Sequence, residues 1–255
     1  MAMVINTNMA SLNAQRHLSG SQSKLAKSME RLATGKRINS GQDDAAGLGI
    51  SSRLGGKIRA LNQSVRNAND GVSMAKAGDG ALAEVANMLE RMRELVNQKG
   101  DGALNANDKS AITAEMTSLQ TEINNIKTNT KFNGVSLLSG LNIAFTVGET
   151  DTYNLNVPAP SVAAGSTATS VEAAIDSVSK ARGDFGKAIT VLESRAKNSA
   201  ALAENLSAAR SQILDADIAA ETAEMTKANV LQQAGVSILA QANQSPQVVL
   251  SLLQG

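Results

Sequence analysis

The chain has 255 residues, enough for one large domain or two, and its net charge of +1 gives no electrostatic argument for binding nucleic acid or an anionic membrane. The absence of cysteine excludes a disulfide framework and a thiolate metal site. Aromatic residues make up only 2% of the chain, so its apolar volume comes from Ala, Leu, Val, Ile and Met, a composition typical of long helices packed side by side.

The first predicted element is a helix in the N-terminal arm. Apolar side chains recur there at helical spacing, at Ile5, Met9, Leu12, Leu18, Leu25, Met29 and Leu32. Gly35 supplies a stop signal, and residues 34–50 are expected to be irregular. The arm lacks a basic region followed by an apolar one, so no conventional signal peptide is expected.

A long heptad pattern follows and predicts a helix from about residue 54 to residue 96. Its apolar positions alternate in steps of three and four, with one phase shift at the glycines of residues 77–80. We expect the helix to continue through these glycines and to end near residues 97–102. A second, shorter pattern over residues 112–126 predicts a helix that folds back antiparallel, with Asn107 or Asp108 as its N-cap.

The period then changes from helical to alternating. Residues 141–147 and 153–157 each place apolar side chains on one face, which predicts two short strands joined by a turn at residues 148–151. The stretch 158–170 contains two of the three prolines amid small residues, so a loop is predicted there.

The last two predicted helices are the longest one, over residues 171–213, and the C-terminal tail. The pattern over residues 171–213 would span about 65 Å as a helix at 1.5 Å per residue. The tail repeats helical spacing, and Pro246 is expected to perturb its last turns. We therefore predict an all-α fold, with long antiparallel helices in a coiled-coil-like rod and a small β-hairpin at about 141–157.

Both ends of the chain lack charge. No Lys, Arg, Asp or Glu occurs before Arg16 or after Lys227, although both segments carry large apolar residues at helical spacing. Such a tail cannot bury enough apolar surface alone to offset the entropy lost on ordering. Because burying unpaired charges is costly, a neutral helix suits enclosure by other copies of the same chain. The alternative is an unstructured polar tail, against which the spacing of Leu and Ile argues.

These ends also contain motifs through which the whole chain resembles the bacterial flagellins. The matching stretches are "INTNMASLNAQRHL" (5–18), "LATGKRINSGQDDAAGLGISSRL" (32–54), "LERMRELVNQ" (89–98), "TKFNGVSLLSG" (130–140) and "LQQAGVSILAQANQSPQVVLSLL" (231–253). The resemblance implies a secreted structural subunit that assembles with itself into the flagellar filament. Only about thirty residues separate Leu138 from Val171, where most flagellins carry a large variable region, so a minimal form is expected.

The resemblance implies three parts. Residues 1–34 and 221–255 would form an inner coiled-coil domain, residues 35–46 and 212–220 connecting segments, and residues 47–211 an outer helical domain that includes the β element and the linker 139–170. The inner contacts of the polymer would come from Ile5, Met9, Leu12, Leu18, Leu25, Leu231, Ile238, Leu239, Val249, Leu250 and Leu253.

Other partners are implied by the same resemblance. They are the flagellar cap, the hook–filament junction proteins and a secretion chaperone, with export to the flagellum outside the cell and no cleaved signal peptide. Arg91 and Leu95 match positions at which flagellins contact a Toll-like innate receptor, and Glu115 matches a supporting acidic position. Glu90 departs from the glutamine usual in the family. Packing between subunits is an alternative role for Arg91 and Glu115.

No chemistry of an enzyme or of a bound cofactor is predicted. His17 is the only histidine, so a His-based metal site cannot form, and the pair Asp43–Asp44 is better explained as a helix cap or a subunit bridge. Neither a nucleic acid nor a membrane is expected as a partner. Two other functions remain open: a hook–filament junction protein with similar ends, and a secreted ligand whose main role is receptor binding.

Overall fold

The computed structural model describes residues 7–161 and 167–253. Five helices and four short strands follow in chain order in this part of the chain, and they are α1 Met9–Thr34, α2 Ala45–Lys99, α3 Ala106–Asn129, β1 Lys131–Phe132, β2 Val135–Ser136, β3 Leu141–Thr146, β4 Thr152–Val157, α4 Ala168–Leu214 and α5 Ile218–Leu253. The predicted all-α class, with long helices and a small hairpin, is confirmed.

The chain divides into two compact units. The terminal unit comprises residues 1–55 and 207–255, and the central unit comprises residues 56–206. Both hydrophobic clusters found among the described residues lie in the central unit. The main one joins apolar residues of α2, α3, α4 and the strands around Phe185, whose side chain is fully buried.

Helix α2 runs without interruption through the glycines of residues 77–80, as the heptad pattern predicts. Gly78 has a packing role, because a Cβ at this position would lie 2.5 Å from the Phe185 ring. The missing side chain therefore lets the aromatic ring pack directly on the helix backbone. Gly80 faces open space.

Two helix starts differ from the prediction because side-chain caps decide them. The Oδ1 atom of Asp44 accepts a hydrogen bond from the Gly47 amide at 2.8 Å, so α2 begins at Ala45 and not after residue 50. The N-cap of α3 is Asn105, which forms a capping box with Asp108; the prediction of Asn107 or Asp108 as the cap was wrong.

The strands form two separate antiparallel hairpins. β3 pairs with β4 from Leu141–Val157 to Thr146–Thr152, which confirms the predicted strands and their turn. The β1–β2 hairpin was not predicted. Asn133 and Gly134 form its two-residue turn, with φ values of 48° and 83°, the left-handed conformations that an Asn-Gly pair favours.

The last two helices are longer than predicted. α4 ends at Leu214, whose buried side chain keeps the final turn packed. The predicted connecting segment 212–220 is therefore shorter, and only residues 215–217 separate α4 from α5. The backbone of α5 continues past Pro246 to Leu253, so the expected perturbation does not end the helix.

Candidate functional site

The terminal unit is built on the pairing of α1 with α5, and small side chains form the seam. Ser11, Ala14, Ser28 and Ala228 are the buried residues of the described part of these two helices, and Ala228 is only 1% exposed. Short side chains allow two helix backbones to approach closely. Most of the large apolar side chains therefore lie on the outside of the pair, although Leu18, Leu25 and Leu239 are half-buried in it.

Three polar contacts hold α1 and α5 in register. The Nδ2 atom of Asn8 donates to the Ala242 carbonyl at 2.8 Å, while its Oδ1 atom caps α1 by accepting from the Ser11 amide. The Ser11 hydroxyl donates to Oδ1 of Asn243 at 2.9 Å. At the other end, Arg31 forms an ion pair with Glu221 at 2.7 Å. The helices are therefore fixed by specific contacts rather than by apolar bulk.

An apolar groove of about 510 Å³ runs along one face of the pair. Ala14, Ala228 and Gly235 line it together with the larger side chains of Leu231 and Ile238. Its remaining lining includes Leu18 and the polar residues His17, Lys24 and Glu224.

Large apolar side chains stand out from both helices. Those with the greatest exposure are Met9, Leu12, Met29, Ile218, Val230, Leu231, Val236 and Ile238, and Ile238 is 57% exposed. So many exposed large apolar side chains on one pair of helices are typical of a surface that another protein covers. Met29, Ile218, Val230 and Val236 were not among the predicted contacts, although Val230 and Val236 lie in the uncharged tail that pointed to such a surface.

The other predicted inner contacts fall into two groups. Leu18, Leu25 and Leu239 are half-buried in the α1–α5 pair. Ile5 lies outside the described residues, and Val249, Leu250 and Leu253 lie outside the part whose side chains the structure describes.

The connecting segments are bound to each other at the junction of α1, α4 and α5. Gly35 adopts a left-handed conformation that ends α1, with φ of 66°. Its carbonyl accepts from the Ala216 amide at 3.0 Å. The Arg37 amide donates to the Leu214 carbonyl at 2.7 Å, and the Arg37 guanidinium donates to the Ile213 carbonyl at 2.7 Å. This cation therefore stabilises the carboxyl end of α4, where the helix dipole is negative.

The carboxylates of Asp43 and Asp44 have separate structural roles. Asp44 caps α2, as the sequence suggested for this pair. Asp43 forms an ion pair with Lys27 at 2.7 Å and accepts hydrogen bonds from the amides of Ser40 and Asn39. The Lys27 ammonium and then these two amides hold the pKa of Asp43 well below its usual range. Both groups thus organise the turn before α2.

The proposed receptor residues do not share one surface. Arg91 on α2 is exposed and forms ion pairs with Glu94 at 2.9 Å and with Glu115 of α3 at 3.1 Å. Hydrogen bonds to Glu94, and then to Glu115, raise the pKa of the Arg91 guanidinium. Leu95, in contrast, is 1% exposed and belongs to the main cluster of the central unit, so its prediction as a receptor contact was wrong. The heptad pattern of α2 explains the burial, because Leu95 lies three residues after Met92 on the core side.

Glu90 forms an ion pair with Arg93 one helical turn away. In the part of the chain that the structure describes, no group of His, Cys, Asp and Glu side chains could hold a metal ion. Among the same residues, no helix is long and apolar enough to span a membrane.

Comparison with known proteins gives family matches for both the N-terminal and the C-terminal part of the chain. Residues 5–143 match the family model of the bacterial flagellin N-terminal helical region, and residues 168–253 match that of the C-terminal helical region. The chain belongs to the bacterial flagellin family. The flagellin of Bacillus subtilis is 36% identical over 99% of this chain and 100% of that protein. Flagellins of Halalkalibacterium halodurans and Xenorhabdus nematophila are 38% and 37% identical, over 99% and 100% of this chain and over the full length of both proteins.

This flagellin is a short form and a structural subunit of the flagellar filament. The alignment with the Bacillus subtilis relative extends over 304 positions, more than the 255 residues of this chain. Flagellins are structural proteins rather than enzymes, and the family forms the extracellular filament by polymerising with itself.

Proposed function

We propose that the α1–α5 pair forms the inner core of the filament. Residues 1–34 and 218–255 make up this core, residues 35–44 and 215–217 connect it, and residues 45–214 form the outer layer. The observation that carries the proposal is the set of large apolar side chains that the pair leaves exposed. The tail after Lys227 has no charged residue, so copies that cover its exposed Val230, Leu231, Val236 and Ile238 gain apolar burial without desolvating a charge of the tail.

The groove supports a contact between copies rather than between a copy and a small molecule. Its walls are helices α1 and α5, and it continues into the exposed side chains of Leu231 and Ile238. A second apolar strip on α5, lined by Ala219, Ala223 and Val230, lies close in sequence to the first. One pair can therefore offer a groove to one neighbour and an apolar strip to another.

The test is the substitution Ile238→Gln. Burying one large apolar side chain contributes about 2 kcal/mol, which corresponds to a factor of about 30 in an equilibrium constant. We expect the critical concentration for seeded polymerisation to rise at least tenfold, with an unchanged circular dichroism spectrum, because Ile238 is exposed within the chain. Val135→Gln is the matched control, since Val135 is an exposed apolar residue of the outer layer.

Equal critical concentrations for Ile238→Gln and the unaltered chain would exclude α5 from the inner contacts. An effect of Val135→Gln as large as that of Ile238→Gln would show that apolar exposure alone, and not its location, controls assembly.

The alternative within the same superfamily is a hook–filament junction protein. Such a protein has similar ends but is present in few copies. Overexpression distinguishes the two functions, because a filament subunit gives long filaments at high concentration and a junction protein does not. The full-length match to flagellins supports the filament subunit.

A second proposed activity is binding of a Toll-like innate receptor through Arg91 and Glu115. Both side chains are exposed, and their 3.1 Å ion pair joins α2 to α3 on the surface of the central unit. Receptor signalling should be lost in Arg91→Ala with an unchanged melting temperature, whereas the Ile238→Gln monomer should still signal. An Arg91→Ala chain that signals normally would end this proposal.

The remaining partners follow from the family. We propose that a secretion chaperone covers α5 in the cell, since its set of exposed apolar side chains favours aggregation before assembly. Export would proceed without a cleaved signal peptide, and the flagellar cap and the hook–filament junction proteins would meet the first and last copies. The secreted chain then assembles outside the cell.

A further inference from the structure

Arg210, near the end of α4, is a cation without a counter-charge in its own chain. Its Nε atom is buried and has no hydrogen-bond acceptor, and no ion pair or hydrogen bond of its guanidinium occurs among the described residues. Every Asp and Glu of the sequence lies within those residues, because residues 1–6, 162–166 and 254–255 contain none. A side-chain carboxylate that binds Arg210 as it is placed here would therefore belong to another molecule.

The guanidinium of Arg210 packs against a glycine on the neighbouring helix. A Cβ built at Gly55 of α2 would lie 3.5 Å from Nε and 3.7 Å from Cζ of Arg210, so the guanidinium packs against the helix where no side chain stands. Gly55 itself is buried by this contact. The Nε atom is buried at this contact, whereas the terminal nitrogens, for which no hydrogen bond occurs among the described residues, can donate to an acceptor.

Arginine keeps its charge at all physiological pH values, so the terminal nitrogens of Arg210 remain able to donate hydrogen bonds to an anion. A carboxylate that approaches the two terminal nitrogens can form a planar, bidentate pair with them. Because the guanidinium is already held in place, little further side-chain entropy is lost on binding.

We propose that Arg210 binds a carboxylate of a second copy of this chain in the filament. This inference rests on the filament function and adds an ionic contact to it. Acidic side chains that are exposed and have no ion pair or hydrogen bond among the described residues are available on each copy, including Asp70, Glu84, Asp176 and Glu204. In a polymer of one chain, these are the most abundant anions that Arg210 meets.

The test compares three substitutions in the full-length chain by seeded polymerisation. The critical concentration should increase in the order unaltered chain, Arg210→Lys, Arg210→Gln and Arg210→Glu, because lysine keeps the charge but loses the planar fork. We expect an increase of about tenfold for Arg210→Gln and more for Arg210→Glu. Arg66→Gln is the matched control: Arg66 is exposed, and among the described residues its guanidinium bonds only to Gln63 on its own helix.

The dependence on salt separates an intermolecular ion pair from a purely structural role. Added salt should raise the critical concentration of the unaltered chain more steeply than that of Arg210→Gln. The proposal is overturned if Arg210→Gln has the critical concentration of the unaltered chain, or if Arg66→Gln raises the critical concentration as much as Arg210→Gln does. It is also overturned if all three Arg210 variants raise the critical concentration equally and leave its salt dependence unaltered. Ile238→Gln tests the α5 contacts independently, so either proposal can fail without the other.

Discussion

Asp43 and Asp44 show how neighbouring residues of one type acquire different roles. The sequence suggested a helix cap for the pair, and the structure assigns this role to Asp44 alone. Asp43 instead forms an ion pair with Lys27 and accepts hydrogen bonds from the amides of Asn39 and Ser40. These partners lie on α1 and in the turn, so no motif of adjacent residues could have indicated them.

The depressed pKa of Asp43 predicts acid sensitivity of the turn. A carboxyl whose pKa is lower in the folded chain than its unfolded value of about 3.9 stabilises the fold above that value, and this contribution is lost as the pH falls below it. We expect the hydrogen-exchange protection of the Asn39 and Ser40 amides to be constant from pH 7 to about pH 5 and to decrease below about pH 4. In Asp43→Asn, protection should be lower at pH 7 and independent of pH. Unchanged protection of the unaltered chain at pH 3 would contradict this role.

At the scale of the elements, the helical periods were predictable and the helix ends were less so. Heptad spacing identified α2 through its glycines because apolar periodicity is repeated over many turns. The cap Asn105 was missed because it depends on a single side chain, and several neighbouring residues could serve. For α2 the sequence suggested Asp43 and Asp44 as a cap but could not show which of the two forms it. The β1–β2 hairpin was missed although Asn133–Gly134 is a turn signal, since its strands have only two residues each.

The glycines of α2 provide a test of packing against helix propensity. In Gly78→Ala the new methyl group would lie 2.5 Å from the buried Phe185 ring, so we expect a loss of about 1–3 kcal/mol in the free energy of unfolding. Gly80→Ala, two residues away on the same helix, meets no atom within 4 Å and should gain roughly 0.5–1 kcal/mol. Urea unfolding followed by circular dichroism measures both. Equal effects of the two substitutions would show that Phe185 does not depend on Gly78.

At the scale of the whole molecule, apolar residues serve two purposes. In the central unit they form the clusters around Phe185, whereas in the described part of α1 and α5 the large ones are mainly exposed. The uncharged ends predicted a surface for other copies. Their spacing alone could not show that Ala14 and Ala228 occupy the seam of the pair, because this depends on the rotation of two helices about their axes.

The seam of small side chains predicts that the terminal unit is the less stable part of the free chain. Ser11, Ala14, Ser28 and Ala228 bury little apolar area, and the stability of α1 and α5 therefore depends on contacts with other copies. In the monomer, we expect amides of residues 9–34 and 218–244 to exchange faster than those of residues 82–95, which lie in the main cluster. Polymerisation should slow amide exchange of residues 9–34 and 218–244 by at least about 100-fold and leave that of residues 82–95 nearly unchanged. If residues 230–240 are as strongly protected in the monomer as residues 82–95, the pair is stable without neighbours, and its exposed apolar side chains contribute to assembly without contributing to the order of the helices.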